Sequence, residues 1–268
     1  MYLRKAKEFV RNMSHLWEVI NNVISDANLI LVVLDARDPL GTRSPQIEKM
    51  ILNQPDKKLL LLLNKIDLIP KDITLKWQKI LDNEFPTLII SATRGFERTL
   101  RLLRKKILQF APSLPAYVAV VGFTNVGKST IINGLKGTKI VGTSPHAGFT
   151  RGKQYVNLSD DIRLIDSPGI IPFEGDELEL ALKDLITPEK IQNVEAVVKE
   201  IISRIGMSKV SYIYKIQFTN LDELLENLAK RRGLLMAGGE PNTYEAAKVV
   251  IRDWQRGHLP FYTLPPSE

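Results

Sequence analysis

A doubly wound α/β sheet, mostly parallel and six-stranded, followed by a smaller helical domain, is the fold this amino-acid sequence predicts. Three observations carry that prediction. Short apolar runs alternate with stretches of helical spacing as far as residue 166, the pattern of parallel strands linked by crossover helices. A glycine-rich segment at 122–129 sits where one such run passes into one such stretch. Beyond residue 187 the strand pattern stops and helical spacing alone continues. The expected division is therefore 1–186 for the sheet domain with an N-terminal helix and 187–268 for the helical domain, one large domain plus an appendage in a chain of 268 residues.

Taken in order, residues 5 to 24 carry Phe9, Leu16, Val19, Ile20, Val23 and Ile24 on one helical stripe, which should pack on the domain that follows. Strands are expected at 29–34, 59–63, 87–91, 117–121, 153–158 and 162–166. Helices are expected near 45–53, 72–83 and 96–110, and from Gly127 to about Leu135. Ala111-Pro112-Ser113-Leu114-Pro115 stops a helix and starts a strand, because proline blocks helix continuation and holds its predecessor extended; it is a connector, not a domain boundary. In the tail, Thr187-Pro188 reads as the start of a helix ending at Gly206, with an apolar face of Ile191, Val194, Val198, Ile201, Ile202 and Ile205. Asn220 with Glu223 resembles a capping arrangement for the next helix, and a last helix runs over about 243–256.

Composition narrows the function classes. With 44% hydrophobic and 25% charged residues the chain is that of an ordinary globular protein. The longest apolar runs, Leu29–Leu34 and Leu59–Leu63, fall far below a membrane span, and no apolar targeting segment follows the basic residues near Met1, so a cytoplasmic location is expected. The absence of cysteine excludes disulfides, thiolate metal sites and a cysteine nucleophile. An excess of 37 Lys+Arg over 30 Asp+Glu, net +7, favours polyanionic partners such as RNA.

Gly122-Phe123-Thr124-Asn125-Val126-Gly127-Lys128-Ser129 has the P-loop form in its confirming context, an apolar strand before and a helix after. The glycines let backbone N–H groups converge on phosphate oxygens. Val126, Gly127 and Thr130 are expected to bind the nucleotide with them, the helix N-terminus adds partial positive charge, Lys128 neutralises the β and γ phosphates, and Ser129 is the expected Mg²⁺ ligand. Asn64-Lys65-Ile66-Asp67 follows the Leu59–Leu63 run in the N-K-x-D form by which translation-factor and Ras-like GTPases read guanine: one carboxylate accepts from both the ring N–H and the exocyclic amine, donors that adenine lacks there. Ser91-Ala92-Thr93 resembles the third base-contacting loop. Asp166-Ser167-Pro168-Gly169 has the D-x-x-G form, in which Asp166 reaches Mg²⁺ through water and the Gly169 N–H senses the γ-phosphate. In the loop between, Thr150 is the candidate hydroxyl to complete the Mg²⁺ shell, with Thr143 as its competitor.

The order of these segments is itself informative. In ordinary GTPases the guanine-reading loops follow the P-loop and the D-x-x-G, whereas here Asn64 and Ser91 precede Gly122. The arrangement resembles the circularly permuted YlqF/YawG GTPases, which assist assembly of the large ribosomal subunit. Asp35-Ala36-Arg37-Asp38-Pro39-Leu40-Gly41-Thr42-Arg43 looks like that family's signature after its first strand. Gly238-Gly239-Glu240-Pro241-Asn242 and Asp253-Trp254-Gln255-Arg256-Gly257 look like its tail, closest to the nucleolar GTP-binding branch and its prokaryotic relatives.

The resemblance implies a GTP-hydrolysing switch that uses Mg²⁺ and binds the large ribosomal subunit or its precursor through rRNA, with neither membrane nor DNA as partner. Ile170 and Ile171 stand where Ras-like enzymes carry a water-positioning Gln, so intrinsic turnover should be slow. Asn125 resembles the ligand by which some GTPases hold an activating K⁺. His15, His146 and His258 are weighed as activating groups against surface or capping roles. Basic residues at Arg94, Arg98, Arg101 and Lys105, at Lys230, Arg231 and Arg232, and at Lys248, Arg252 and Arg256 are candidate RNA contacts, against the alternative that they complement helix dipoles. A GTPase acting on tRNA or a membrane partner remains the first alternative. An ATP-using P-loop kinase is a second, against which Asn64 to Asp67 argues.

Overall fold

The computed structural model describes residues 2–91, 95–137, 155–165, 169–173 and 175–266, with side chains from Ser14 onward. Two compact units emerge: Met1–Phe173 with Thr263–Glu268, and Glu174–Tyr262.

The first unit opens with helix α1 (Tyr2–Asp26), whose Ile20, Val23 and Ile24 are buried. Strand β1 (Leu29–Asp35) is buried at every position, as a central parallel strand covered on both faces must be. Helix α2 (Pro45–Leu52) starts where the Ser44 hydroxyl accepts from the Ile47 N–H and Pro45 presets the first turn. Then follow β2 (Lys58–Asn64), α3 (Lys71–Asp82), β3 (Thr87–Ile89), α4 (Phe96–Phe110), β4 (Ala116–Gly122), α5 (Lys128–Gly137), β5 (Tyr155–Asn157), β6 (Ile162–Ile165) and the two-residue β7 (Gly169–Ile170). The sheet order is β3-β2-β1-β4-β6-β5, with β7 also on β4. All pairings are parallel except β5 with β6. Each of the six expected strands is present, and α1 packs on β4 and β7.

Residues 111–115 do act as a connector within this unit. The Asn28 amide donates to the Ser113 hydroxyl over 3.0 Å and to the Pro115 carbonyl over 3.3 Å, and its oxygen accepts from the Tyr117 N–H. One side chain thus holds the start of β4 beside that of β1.

The second unit comprises α6 (Glu177–Leu182), α7 (Val194–Ile205), α8 (Met207–Tyr214), α9 (Leu221–Arg232) and α10 (Thr243–Gln255), around a core that includes Val198, Ile201, Leu224, Val250 and Trp254. Three differences from the sequence expectation have local causes. The unit begins before residue 186, because Ala181 and Leu182 of α6 are buried in this core and the Trp254 indole N–H donates to the Leu182 carbonyl. Thr187-Pro188 starts only a single 3₁₀ turn, Pro188–Lys190. The α-helix proper begins at Val194, capped by the Asn193 side chain on the Ala196 N–H. Finally, although α7 ends at Gly206 as expected, a further helix, α8, starts at once, because the φ of 90° at Gly206 lets the chain break one helix and turn into the next.

The Asn220 cap accepts from the Glu223 N–H as expected, but the Glu223 carboxylate reaches back to Thr219, not to Asn220. Among the described residues no helix is long and apolar enough to cross a membrane.

Candidate nucleotide site

The sheet order reverses between β1 and β4, and at such a switch point the crevice beyond the carboxyl ends of the strands is where open α/β sheets bind ligands. The segments singled out in the sequence converge there. Gly122 ends β4, Asn64 ends β2, and Asp35, its partner in register, ends β1.

The P-loop turns through Asn125 and Gly127, both left-handed with φ of 59° and 103°, before entering α5 at Lys128. Its first-turn amides lie ahead of the first helical acceptor, so Lys128, Ser129 and Thr130 present N–H groups to a ligand. Ser129 and Thr130 are exposed. Lys128 is buried, and its ammonium donates to the Phe123 carbonyl across the loop. That burial pulls its pKa down to about 8, so the site carries a desolvated cation that an anion would stabilise. Gly122 allows the strand to pass close to Val33, whose carbonyl a β-carbon there would meet at 2.7 Å.

The Asn64–Asp67 loop docks directly on the P-loop. The Asn64 side-chain N–H donates to the Val126 carbonyl over 2.8 Å, and a β-carbon on Gly127 would overlap that same amide. The Asn64 oxygen is buried and has no hydrogen-bond partner among the described residues, as expected of a group that meets a ligand. Asp67 is exposed and accepts from the buried Ser91 hydroxyl over 3.1 Å, so the Asn64–Asp67 loop meets the loop that begins at Ser91. These residues fit a guanine nucleotide: a phosphate cradle, a cation at its floor, and a carboxylate where guanine offers donors.

Gly169 lies against β4 opposite Val121, so close that a β-carbon would meet the Val121 side chain at 2.5 Å. Ile170 is half-buried and Ile171 buried, the Ile171 N–H bonding the Gly122 carbonyl. The site thus holds apolar side chains where a glutamine is expected in Ras-like enzymes. Ala92, Thr93, Arg94, Thr143, His146, Thr150, Asp166, Ser167 and Pro168 lie outside the described residues, and with them two of the three expected Mg²⁺ ligands. Of the remaining histidines, His15 is exposed beside Glu18 and His258 bonds Asp253.

One feature of the site carried no role in the sequence reading. Asp35 is buried and receives Arg37 through both side-chain oxygens at 2.7 to 3.3 Å, and the Lys65 ammonium at 3.0 Å. Burial opposes its ionisation, but the hydrogen bonds and charge of Arg37 and the charge of Lys65 outweigh that and hold its pKa at about 2. An acidic residue ending an otherwise apolar buried strand, two positions before an arginine, was the available signal.

In the helical unit most candidate RNA-binding cations have acidic or backbone partners. Lys248 pairs with Glu245 at 2.7 Å, Arg252 with Glu189 at 2.8 Å, Lys230 with Glu226 at 3.7 Å and Arg232 with Asp253 at 4.0 Å. Arg231 donates to the Tyr214 and Lys215 carbonyls and so caps α8. Arg256 is exposed at the end of α10. On the sheet unit, Arg98, Arg101 and Lys105 are exposed along α4.

The fold agrees with those of known proteins. A family model described as RsgA GTPase matches residues 2–175, and one described as 50S ribosome-binding GTPase matches residues 117–235. Nucleolar GTP-binding protein 2 of Schizosaccharomyces pombe is 36% identical over 258 residues, covering 93% of this chain and 48% of that protein. An uncharacterized GTP-binding protein of Methanocaldococcus jannaschii is 37% identical over 250 residues, covering 91% of this chain and 66% of its own. The chain spans about half the length of the nucleolar relatives it matches. A GNP-bound structure of YlqF from T. maritima superposes with a TM-score of 0.68 at 25% identity, over 92% of this chain and 96% of that one. By its permuted motif order, its sheet and these matches, the chain belongs to the circularly permuted YlqF/RsgA-type GTPases.

Proposed function

We propose that this protein is a GTP-driven switch in assembly of the large ribosomal subunit, contacting rRNA and leaving the particle on hydrolysis. The observation that carries the reading is the joint between Asn64 and Val126. It fuses base-reading loop and phosphate loop into one guanine-nucleotide site while the chain order puts the helical unit directly after the D-x-x-G segment. In an unpermuted chain the segment after that switch returns to the sheet. Here it leads to α6 within a few residues of Gly169, so a γ-phosphate-dependent change at the switch is felt first by the helical unit. The descriptions of the matched models and the nucleolar names of the relatives support the ribosomal partner.

Mg²⁺, when bound, would supply positive charge to offset that developing on the phosphates. Ser129, exposed in the first turn of α5, would hold it together with Thr150, and Asp166 would reach it through water. Lys128 neutralises phosphate charge from the floor of the cradle, the first-turn amides orient it, and Gly169 supplies the N–H facing the γ-phosphate. Hydrolysis is slow until an assembly particle supplies a group that positions water, since the side chains of Ile170 and Ile171 offer it no hydrogen bond. Asn125 would offer its side-chain oxygen to an activating K⁺.

Co-sedimentation tests the reading. The protein is mixed with large subunits in a non-hydrolysable GTP analogue or in GDP, and then repeated with Lys248, Arg252 and Arg256 changed together to alanine. Binding is expected with the analogue and not with GDP. Nucleotide-independent binding would refute the switch. An unaffected triple variant would move the RNA surface from α10 to the exposed cations of α4, which the acidic pairing of Lys248 and Arg252 already favours.

A further inference from the structure

Lys65 lies inside the guanine-reading loop, yet its side chain turns away to the buried carboxylate of Asp35, and its backbone is left-handed at φ 62°, ψ 31°. A lysine adopts that conformation only when its surroundings hold it there. Three contacts do so. Asp35 takes the Lys65 ammonium at 3.0 Å. Arg37 fixes the same carboxylate with its guanidinium and its backbone N–H. Arg37 is in turn fixed from outside the motif, since its carbonyl accepts from the Thr263 N–H over 2.8 Å and from the Thr263 hydroxyl over 3.2 Å, and the Thr263 carbonyl accepts from the Trp77 indole over 3.0 Å. Immediately after Lys65 the chain makes one 3₁₀ turn, Ile66–Leu68, closed by the Leu68 N–H on the Lys65 carbonyl, and Asp67 sits in that turn.

We infer that Asp35, Arg37 and Thr263 are positioning residues for guanine recognition: they hold the Lys65 turn in the left-handed form that presents Asp67 to the base. This rests on the guanine-nucleotide reading of the site. None of the three touches the nucleotide; they act through Lys65. The arrangement gives a role to the start of the Asp35–Arg43 signature, and it makes a residue 226 positions from Arg37 part of the same support.

The test separates holding the turn from merely holding the fold. Dissociation constants for GDP are measured by competition against a fluorescent GDP, with ADP as the control nucleotide, for the full chain and for Asp35→Asn, Thr263→Val, Lys65→Gly and the double variant Asp35→Asn with Lys65→Gly. Asp35→Asn is expected to weaken GDP about tenfold and Thr263→Val about two- to threefold. Glycine adopts the left-handed turn without an ion pair, so adding Asp35→Asn to Lys65→Gly should change GDP affinity less than about twofold. Hydrogen exchange of the 65–69 segment in the nucleotide-free protein gives a second readout: the Leu68 amide should exchange faster in Asp35→Asn and Thr263→Val, with the rest of the sheet unchanged.

Additive effects in the double variant, or unchanged exchange at Leu68, would overturn the positioning role while leaving the nucleotide site intact. Failure of the unmodified chain to bind GDP in preference to ADP would overturn the nucleotide reading, and this inference with it.

Discussion

The Ser91 hydroxyl donates to the Asp67 carboxylate over 3.1 Å, joining two loops that lie 24 positions apart in the chain. Ser91 is buried while Asp67 is exposed, so the hydroxyl aims the carboxylate outward from a fixed base. A carboxylate held this way can accept two hydrogen bonds side by side, the pattern that guanine presents and adenine does not.

Asp67→Asn replaces one of those acceptors with a donor. GTP affinity should fall at least about tenfold, because buried donors of the base are left unpaired. XTP, with an oxygen in place of the guanine amine, should gain affinity. Competition titrations with GTP, XTP and ATP, beside a thermal melt, decide the matter. A folded variant that still prefers GTP to XTP removes Asp67 as the guanine reader.

Lys128 sets function against stability. Burial lowers its pKa from 10.5 to about 8, so the unfolded chain keeps a proton that the folded chain releases earlier. The cost to folding is therefore full below pH 8 and fades as the pH rises from 8 to 10.5. Lys128→Met should abolish tight GTP binding while raising the melting temperature of the nucleotide-free protein at pH 7 by a few degrees, about 2 to 4 °C per kcal/mol recovered. The gain should shrink as the pH approaches 10. A variant that melts lower at pH 7 would contradict the desolvation argument.

Replacement of K⁺ by Na⁺ at constant ionic strength should lower the GTPase rate, and Asn125→Ala should remove the difference between the two salts. Equal rates of the unmodified protein in both would exclude an activating K⁺.

Trp254→Phe keeps most of the buried ring but leaves the Leu182 carbonyl without the indole donor that now reaches it over 2.8 Å. The helical unit should lose about 1 to 2 kcal/mol, read as a lower denaturant midpoint for that unit. An unchanged midpoint would mean that the indole bond adds nothing to the apolar contacts and the Gln255 bonds that also hold α6. The same bond gives the Asp253–Gly257 signature a structural role: Trp254 and Gln255 hold the carbonyls of Ala181, Leu182 and Ile186, and Asp253 receives Tyr214 and His258.

Much of this was written locally in the sequence. Continuous apolar runs at 29–34 and 59–63 can only be buried parallel strands, and a glycine-rich loop between a strand and a helix has one common use, so the sheet, the P-loop and the permuted order of Asn64, Ser91 and Gly122 followed from short-range pattern. Proline at 188 was equally visible, but it started a 3₁₀ turn and not the helix, because the Asn193 side chain five residues on offered the better cap to the apolar run behind it. Tertiary structure alone decided the pairings between distant residues: Asn64 with Val126, Asp35 with Lys65, Thr263 with Arg37, and α6 with Trp254. It also decided that Arg252 in the basic stripe of α10 is matched by an acid, since Glu189 comes to it from 63 positions away. Periodicity and motif record what a residue does with neighbours within a turn or a strand. Which side chains meet across loops depends on strand register and on the chain's return, and these are set by the packing of the whole core.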